Sequence, residues 1–182
     1  MGDTTGTARR ATGRTWVEDG WARSSVTVWA PVPVTRAFDY VADMTRHPEW
    51  ANDPLTVERT DTGAVGVGAR FRAVGRQAGK EWPSDLTVTG FDPPARFEFT
   101  ATGGPIGTTE DRLHRHEFLL TAGDGGTRIE IRRADPLPDW RFRLVGRPLV
   151  RASLGLRVRT ATRLAQRLTE LAATDGDGAA GT

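Results

Sequence analysis

The chain has 182 residues, with 37% hydrophobic and 26% charged residues, a formal net charge of +2 and no cysteine. That is the size and make-up of one ordinary soluble domain with a single substantial core, and it excludes disulfides, thiolate catalysis and cysteine-ligated metals. No apolar run approaches the roughly 20 residues needed to cross a bilayer, and "MGDTTGTARRATGRT" lacks the apolar centre of a secretory signal, so the cytoplasm is the expected compartment.

Residues 1–20 are rich in Gly, Thr and Arg without periodicity and are expected to form a disordered tail, in which only "TWVEDGW" has any ordered character. "ARSSVTVWA" alternates toward Val26, Val28 and Ala30 and is read as the first strand, stopped by "PVP". Val34, Phe38 and Val41 then recur at helical spacing, with Pro33 tolerated in the first turn. His47 precedes a proline and is pushed toward extended backbone, whereas Pro48 suits the start of a second short helix carrying Trp50. The chain is expected to turn there and place the indole over whatever lies beneath.

Six stretches of strand character follow, at about 54–61, 67–76, 80–91, 96–102, 111–122 and 127–134, separated by glycines, "DPP", "GGPIG" and the hairpin signal "AGDGGT". Their connections are too short for helical crossovers, so the sheet is an antiparallel meander. Finally Leu154, Val158, Ala161, Ala165, Leu168 and Ala172 define one face of a long helix over about 148–173, and 174–182 is expected to be a second disordered tail. The domain proper then covers residues 21–173. The architecture is α+β, with the sheet burying its apolar face against the last helix.

This order of elements, together with "VWAPVPVTRAFDYVADMTRHPEW", "VTGFDPPARFEF" and "GDGGTRIEIR", resembles the polyketide cyclase/dehydrase group of the START-related, Bet v 1-like (SRPBCC) superfamily, over about residues 24–173. The resemblance implies a helix-grip fold, in which a curved seven-stranded antiparallel sheet wraps around the C-terminal helix and leaves a deep cavity. It also implies that a residue matching Trp50 sits near the cavity entrance. Members include cyclases, lipid carriers, quinone-binding proteins and hormone receptors, so the resemblance bears on fold more than on function.

Alternation directs Phe71, Phe97 and Phe99 to the concave face, and Trp82, Phe118, Ile129 and Ile131 are further candidates for an apolar ligand site or for a filled core. In "LHRHEFLL", His114 and His116 lie two apart and therefore share a face with Phe118 and Leu120. A neutral imidazole beside a substrate is suited to general acid or base work, and His114 and His116 are the catalytic candidates; the alternative is that both rings serve only structure or ligand contact. Asp85 and Glu81, flanking Trp82, are candidate partners for an imidazole. His-x-His is also a metal spacing, but a third ligand would have to be His47, so no metal is expected.

The sequence contains no nucleophile elbow and no glycine-rich nucleotide-binding turn, and no cofactor or nucleic acid is expected. Residues 141–170 carry eight arginines against one acid, Glu170. That stripe is either the solvated face of the helix or a foot for an anionic membrane surface or an acidic protein. The functional expectation is an internal site for a bulky hydrophobic or aromatic molecule, in a cofactor-free polyketide cyclase or dehydratase. The alternatives are a non-catalytic lipid or quinone carrier, with residues 43–54 as a moving lid, and a partner-binding protein that uses the Arg-rich helix. Oligomeric state is left open.

Overall fold

Eight strands and one long helix organise the chain in a computed structural model. It describes residues 11–77, 79–104, 112–137 and 140–179, of which the side chains of 77, 140–147, 149 and 175–179 are set aside. Residues 1–10 of the expected tail, 105–107 of "GGPIG" and the side chains of Arg141, Arg143 and Arg147 lie outside the described residues.

The strands are β1 (Thr12–Glu18), β2 (Trp21–Ala30), β3 (Leu55–Arg59), β4 (Arg70–Gln77), β5 (Lys80–Asp92), β6 (Arg96–Gly103), β7 (Arg112–Gly123) and β8 (Gly126–Pro136). They form one antiparallel sheet in the order β1-β2-β8-β7-β6-β5-β4-β3. Between β2 and β3 lie α1 (Val34–Ala42) and a 3₁₀ helix (Met44–Glu49), and α2 (Trp140–Ala179) closes the chain. This is the expected helix-grip arrangement, with eight strands rather than seven.

The extra strand is β1, which pairs with β2 along its whole length from Thr12–Thr27 to Glu18–Trp21. Residues 12–18 of the expected tail are therefore part of the sheet. The turn joining them is Asp19-Gly20, with φ of 50° and 80°. Two successive positive φ values match the right-handed twist of the flanking strands, and Asp-Gly is among the pairs that adopt them most readily. Asp124-Gly125, at 52° and 72°, repeats the device between β7 and β8, as "AGDGGT" predicts.

The last helix also differs from expectation. It starts eight residues before Pro148, which the helix contains, and continues to Ala179, past the expected end at 173. Its buried face is Ala161, Leu164, Ala165 and Leu168, all at 0% exposure, packed over β1 and β2. At the other end of the concave face, α1 packs on β6, β7 and β8 and fills the space beneath it. Phe38 meets Phe91 edge-on at 5.3 Å, Phe91 meets Phe97 at 6.3 Å, and Ile129 is fully buried. One end of the sheet is thus packed solid, and the other is roofed only by the 3₁₀ helix, the segment after it and the first half of α2.

Candidate functional site

That second end holds a half-open cavity of about 540 Å³. Its floor is built from cross-strand rows whose polarity changes stepwise. The row nearest α1 is Val26, Ile131 and Phe118, all apolar, and it continues into the packed core at Phe97. Two residues along each strand, the next row is Ser24, Arg133, His116 and Phe99. The period-2 alternation of strands keeps both rows on the concave face. Continuing the same register brings Asp135 beside Ala22 and His114 beside Ala101, and there the floor becomes polar.

Asp135 organises this end. The Nδ1–H of His114 donates to Oδ1 at 2.6 Å, Arg133 Nε donates to the same oxygen at 2.7 Å, and Arg157 Nη2 donates to Oδ2 at 2.7 Å. Arg157 reaches down from α2, and its Nη1 also donates to Ser24 Oγ at 2.9 Å. Burial alone would raise the Asp135 carboxyl, but the two guanidiniums and the His114 hydrogen bond outweigh it and hold the group well below the usual carboxylate range. In the neutral ring this carboxylate selects the Nδ1–H tautomer, so that the lone pair falls on Nε2.

His116 is an imidazole in a different setting. It lies flat on Phe99, with ring centroids 4.6 Å apart and an interplanar angle of 6°. Burial, reinforced by the charge of Arg133, keeps it well below the ordinary histidine range and therefore neutral. Both histidines line the cavity.

The opposite wall is the cap that follows α1. Asp43 Oδ1 accepts from Thr45 N at 3.1 Å and starts the 3₁₀ helix, which contains Pro48. Trp50 ends this helix, where the expectation had it at the beginning of one, because the helical turn forms before the proline as well as after it. His47 is buried, and its Nε2–H donates to the Val41 carbonyl at 2.9 Å. Burial lowers its pKa to about 4, although the bond to Val41 opposes the shift. Trp50 is 7% exposed, lines the cavity, and packs on His47 at 4.7 Å and on Phe118 at 6.2 Å.

Helix α2 clasps this cap. Arg163 Nη1 donates to the Ala51 carbonyl at 2.6 Å and Arg167 Nε to the Glu49 carbonyl at 3.3 Å, while Asn52 Nδ2 bonds the Leu156 carbonyl and Thr160 Oγ1. Of the arginines in the basic stripe whose side chains are described, Arg157 enters the cavity wall, Arg163 and Arg167 hold the cap from exposed positions, and Arg151 and Arg159 are exposed on the helix surface. No helix among the described residues is long and apolar enough to cross a membrane.

The expected ligand-site residues thus divide. Trp50, Trp82, Phe99, Phe118 and Ile131 line the cavity. Phe71, Phe97 and Ile129 face the same side but are buried in the core outside the lining, since α1 and the aromatic cluster fill the space at Phe97 and Ile129. Glu81 and Asp85 are exposed on β5, Glu81 facing Arg76 at 3.5 Å, and neither is an imidazole partner; that place belongs to Asp135. Asp135, Arg133, Arg157 and Ser24 were not singled out in the sequence. For Asp135 the signal was the alternation Ile129, Ile131, Arg133, which continues one step past the expected strand end. For Arg157 it was the phase of the helix, because 154, 157, 161, 164 and 168 recur at 3 and 4 and put an arginine on the buried stripe.

The indole Nε1 of Trp50 is buried without a hydrogen-bond partner. An orphaned N–H of this kind costs about 1–3 kcal/mol. Trp50→Phe, which keeps a ring and removes the donor, is therefore expected to change stability by less than about 1 kcal/mol, whereas Trp50→Ala should cost about 3 kcal/mol. Urea unfolding of the two variants checks this, and a loss of more than about 2 kcal/mol for Trp50→Phe would show that the N–H is satisfied in solution.

The sequence matches the family described as "Polyketide cyclase / dehydrase and lipid transport" over residues 22–170. The chain belongs to that family. Among curated proteins, none matches it. Solved structures that it is similar to include TTHA0849 from Thermus thermophilus, with a TM-score of 0.62 at 18% identity, covering 82% of this chain and 97% of that one. Ara h 8.0201, a Bet v 1 homologue, gives 0.59 at 18% identity over 83% and 99%. DynU16, a protein in the dynemicin biosynthetic locus, gives 0.53 at 22% identity over 83% of this chain and 48% of its own. At these identities the likeness is one of fold, the Bet v 1-like helix-grip, which is a hydrophobic ligand-binding fold.

Proposed function

We propose that the protein takes a bulky hydrophobic or aromatic molecule into the cavity and acts on it as a cofactor-free cyclase or dehydratase, with His114 as the proton-transfer group. The observation that carries this reading is the His114–Asp135 hydrogen bond of 2.6 Å on the wall of an otherwise largely apolar cavity. A base oriented by a largely buried carboxylate suits abstraction of a weakly acidic proton.

The chemistry is a simple one. Nε2 takes a proton from a carbon activated by a neighbouring carbonyl, and the resulting enolate carbon bonds to a second carbonyl carbon of the same chain. The imidazolium returns its proton to the new alkoxide. For dehydration, loss of a further activated proton expels the hydroxyl, which leaves as water after protonation. The concave walls supply the other requirement, a surface on which the chain is held folded with its reacting atoms near one another. The expected role of His116 is contact and positioning, since it is stacked on Phe99 and neutral.

Native mass spectrometry of the freshly purified protein, with extraction of any adduct, identifies the ligand class. On that ligand, His114→Gln is expected to lower turnover by about 10²–10⁴ while binding stays within a few-fold. Bound ligand with no turnover in the parent protein would instead make it a lipid or quinone carrier, which needs the same cavity and no base. Association through the Arg-rich helix, with a membrane or an acidic partner, has less support, because Arg157, Arg163 and Arg167 are engaged within the fold.

A further inference from the structure

Charge is distributed unevenly around the cavity. Arg76, Arg112, Arg133 and Arg157 line it, and Asp53, on the cap segment, is the one carboxylate in the lining. At the polar end Arg133 and Arg157 share a single acid, Asp135, which each approaches at 2.7 Å. Among the described residues no other carboxylate forms an ion pair with either guanidinium. The two cations also oppose each other, and Arg157 is lowered from the ordinary arginine value by burial and then by Arg133.

The remaining bonds of Arg157 are taken within the protein: Nη1 goes to Ser24 and Nε to Ser153 Oγ at 3.3 Å. Arg133 differs. Its Nε is committed to Asp135, while its side chain is 39% exposed and lines the cavity beside the neutral His116. A planar guanidinium with Nε held has its Nη edge left for another planar, two-oxygen acceptor.

We infer that the ligand is a hydrophobic acid whose carboxylate docks on Arg133, with its apolar body lying along Phe118, Ile131 and Trp50. This inference rests on the reading of the cavity as a hydrophobic ligand site and adds the ionic class of the ligand. A carboxylate there completes the charge balance of the Arg133–Asp135–Arg157 cluster. It also holds the polar end of the ligand on the side of the cavity where His114 and His116 lie.

The test uses the full chain at pH 8 and low salt, with anthracene-2-carboxylic acid and its methyl ester as fluorescent probes of one shape and two charges. The acid is expected to bind at least about tenfold more tightly than the ester, the range of a charge-assisted hydrogen bond. Arg133→Gln should bring the acid-to-ester ratio near one, and Arg133→Lys should preserve part of it. Equal binding of acid and ester, or an unchanged ratio in Arg133→Gln, overturns the carboxylate site and leaves the hydrophobic cavity intact. Binding of neither probe overturns the cavity reading as well. If Arg133→Gln does not fold, the ratio in the parent protein and its loss as salt is raised still decide the question.

Discussion

Asp135→Asn is expected to be among the most destabilising single substitutions in this protein, at about 3 kcal/mol by urea unfolding near pH 7. The carboxylate is 18% exposed on its side chain and accepts from His114, Arg133 and Arg157 at once. An amide offers one acceptor oxygen in place of two and no charge, so two guanidiniums would be left near one another without a counter-ion. Breaking a buried ion pair by removing one partner costs about 3–5 kcal/mol, and the residual exposure puts this case at the low end. A loss below about 1 kcal/mol would mean that the cluster is solvated in solution rather than a fixed part of the cavity wall. Because the same carboxylate orients His114, catalysis should fall together with stability, and the His114→Gln comparison separates the two effects.

Acid should unfold the protein in two stages. His47 is lowered from 6.5 to about 4 by burial, and His116 is lowered for the same reason with Arg133 adding to it. For a base with a depressed folded pKa, the unfolded chain takes up the proton first. The stabilisation is complete above about pH 6.5 and is lost as pH falls from there toward 4. For His47 alone the shift corresponds to about 3 kcal/mol at 1.36 kcal/mol per unit, and His116 acts in the same direction.

Asp135 takes over below this window. Its folded value is depressed, so its contribution is present above the unfolded value of about 3.9 and is lost as pH falls below it. Urea midpoints measured from pH 8 to 3 should therefore stay flat to about 6.5 and then decline continuously. His116→Gln should flatten the decline below about 6.5, and Asp135→Asn only the part below about 4. A profile flat to pH 4.5 in the parent protein would show that both imidazoles reach solvent and charge without unfolding.

How far the sequence carried depends on whether the deciding interaction was local. The hairpin at Asp124-Gly125 was read correctly, because two residues with positive φ carry their own signature. Asp19-Gly20 carries the same signature between "TWV" and "WAR" and marks the hairpin of β1 with β2. The alternation of Phe71, Phe97, Phe99, His114 and His116 was likewise legible, since strand period depends on backbone geometry alone. The match in the Arg-rich segment was partial. Its apolar phase identified the buried face at Ala161, Ala165 and Leu168, but arginine composition alone does not tell a solvated side chain from one that crosses a cavity wall.

The sequence by itself determined the order of the elements from β2 onward, the antiparallel meander and the inward faces of its strands, which follow from periodicity and turn chemistry within a few residues; the helix-grip family was legible only as a resemblance of its motifs. Only the tertiary structure decided which inward residues pack and which border open space. Phe97 and Ile129 are covered by α1, whereas Phe99 and Ile131, two positions along their strands, border the cavity. The tertiary structure likewise decided that His114 meets Asp135, that Arg157 joins them from a helix 22 residues further on, and that Arg163 reaches the cap at Ala51, 112 residues away. These contacts are set by strand register and by where the last helix crosses the sheet, and no local preference encodes either one.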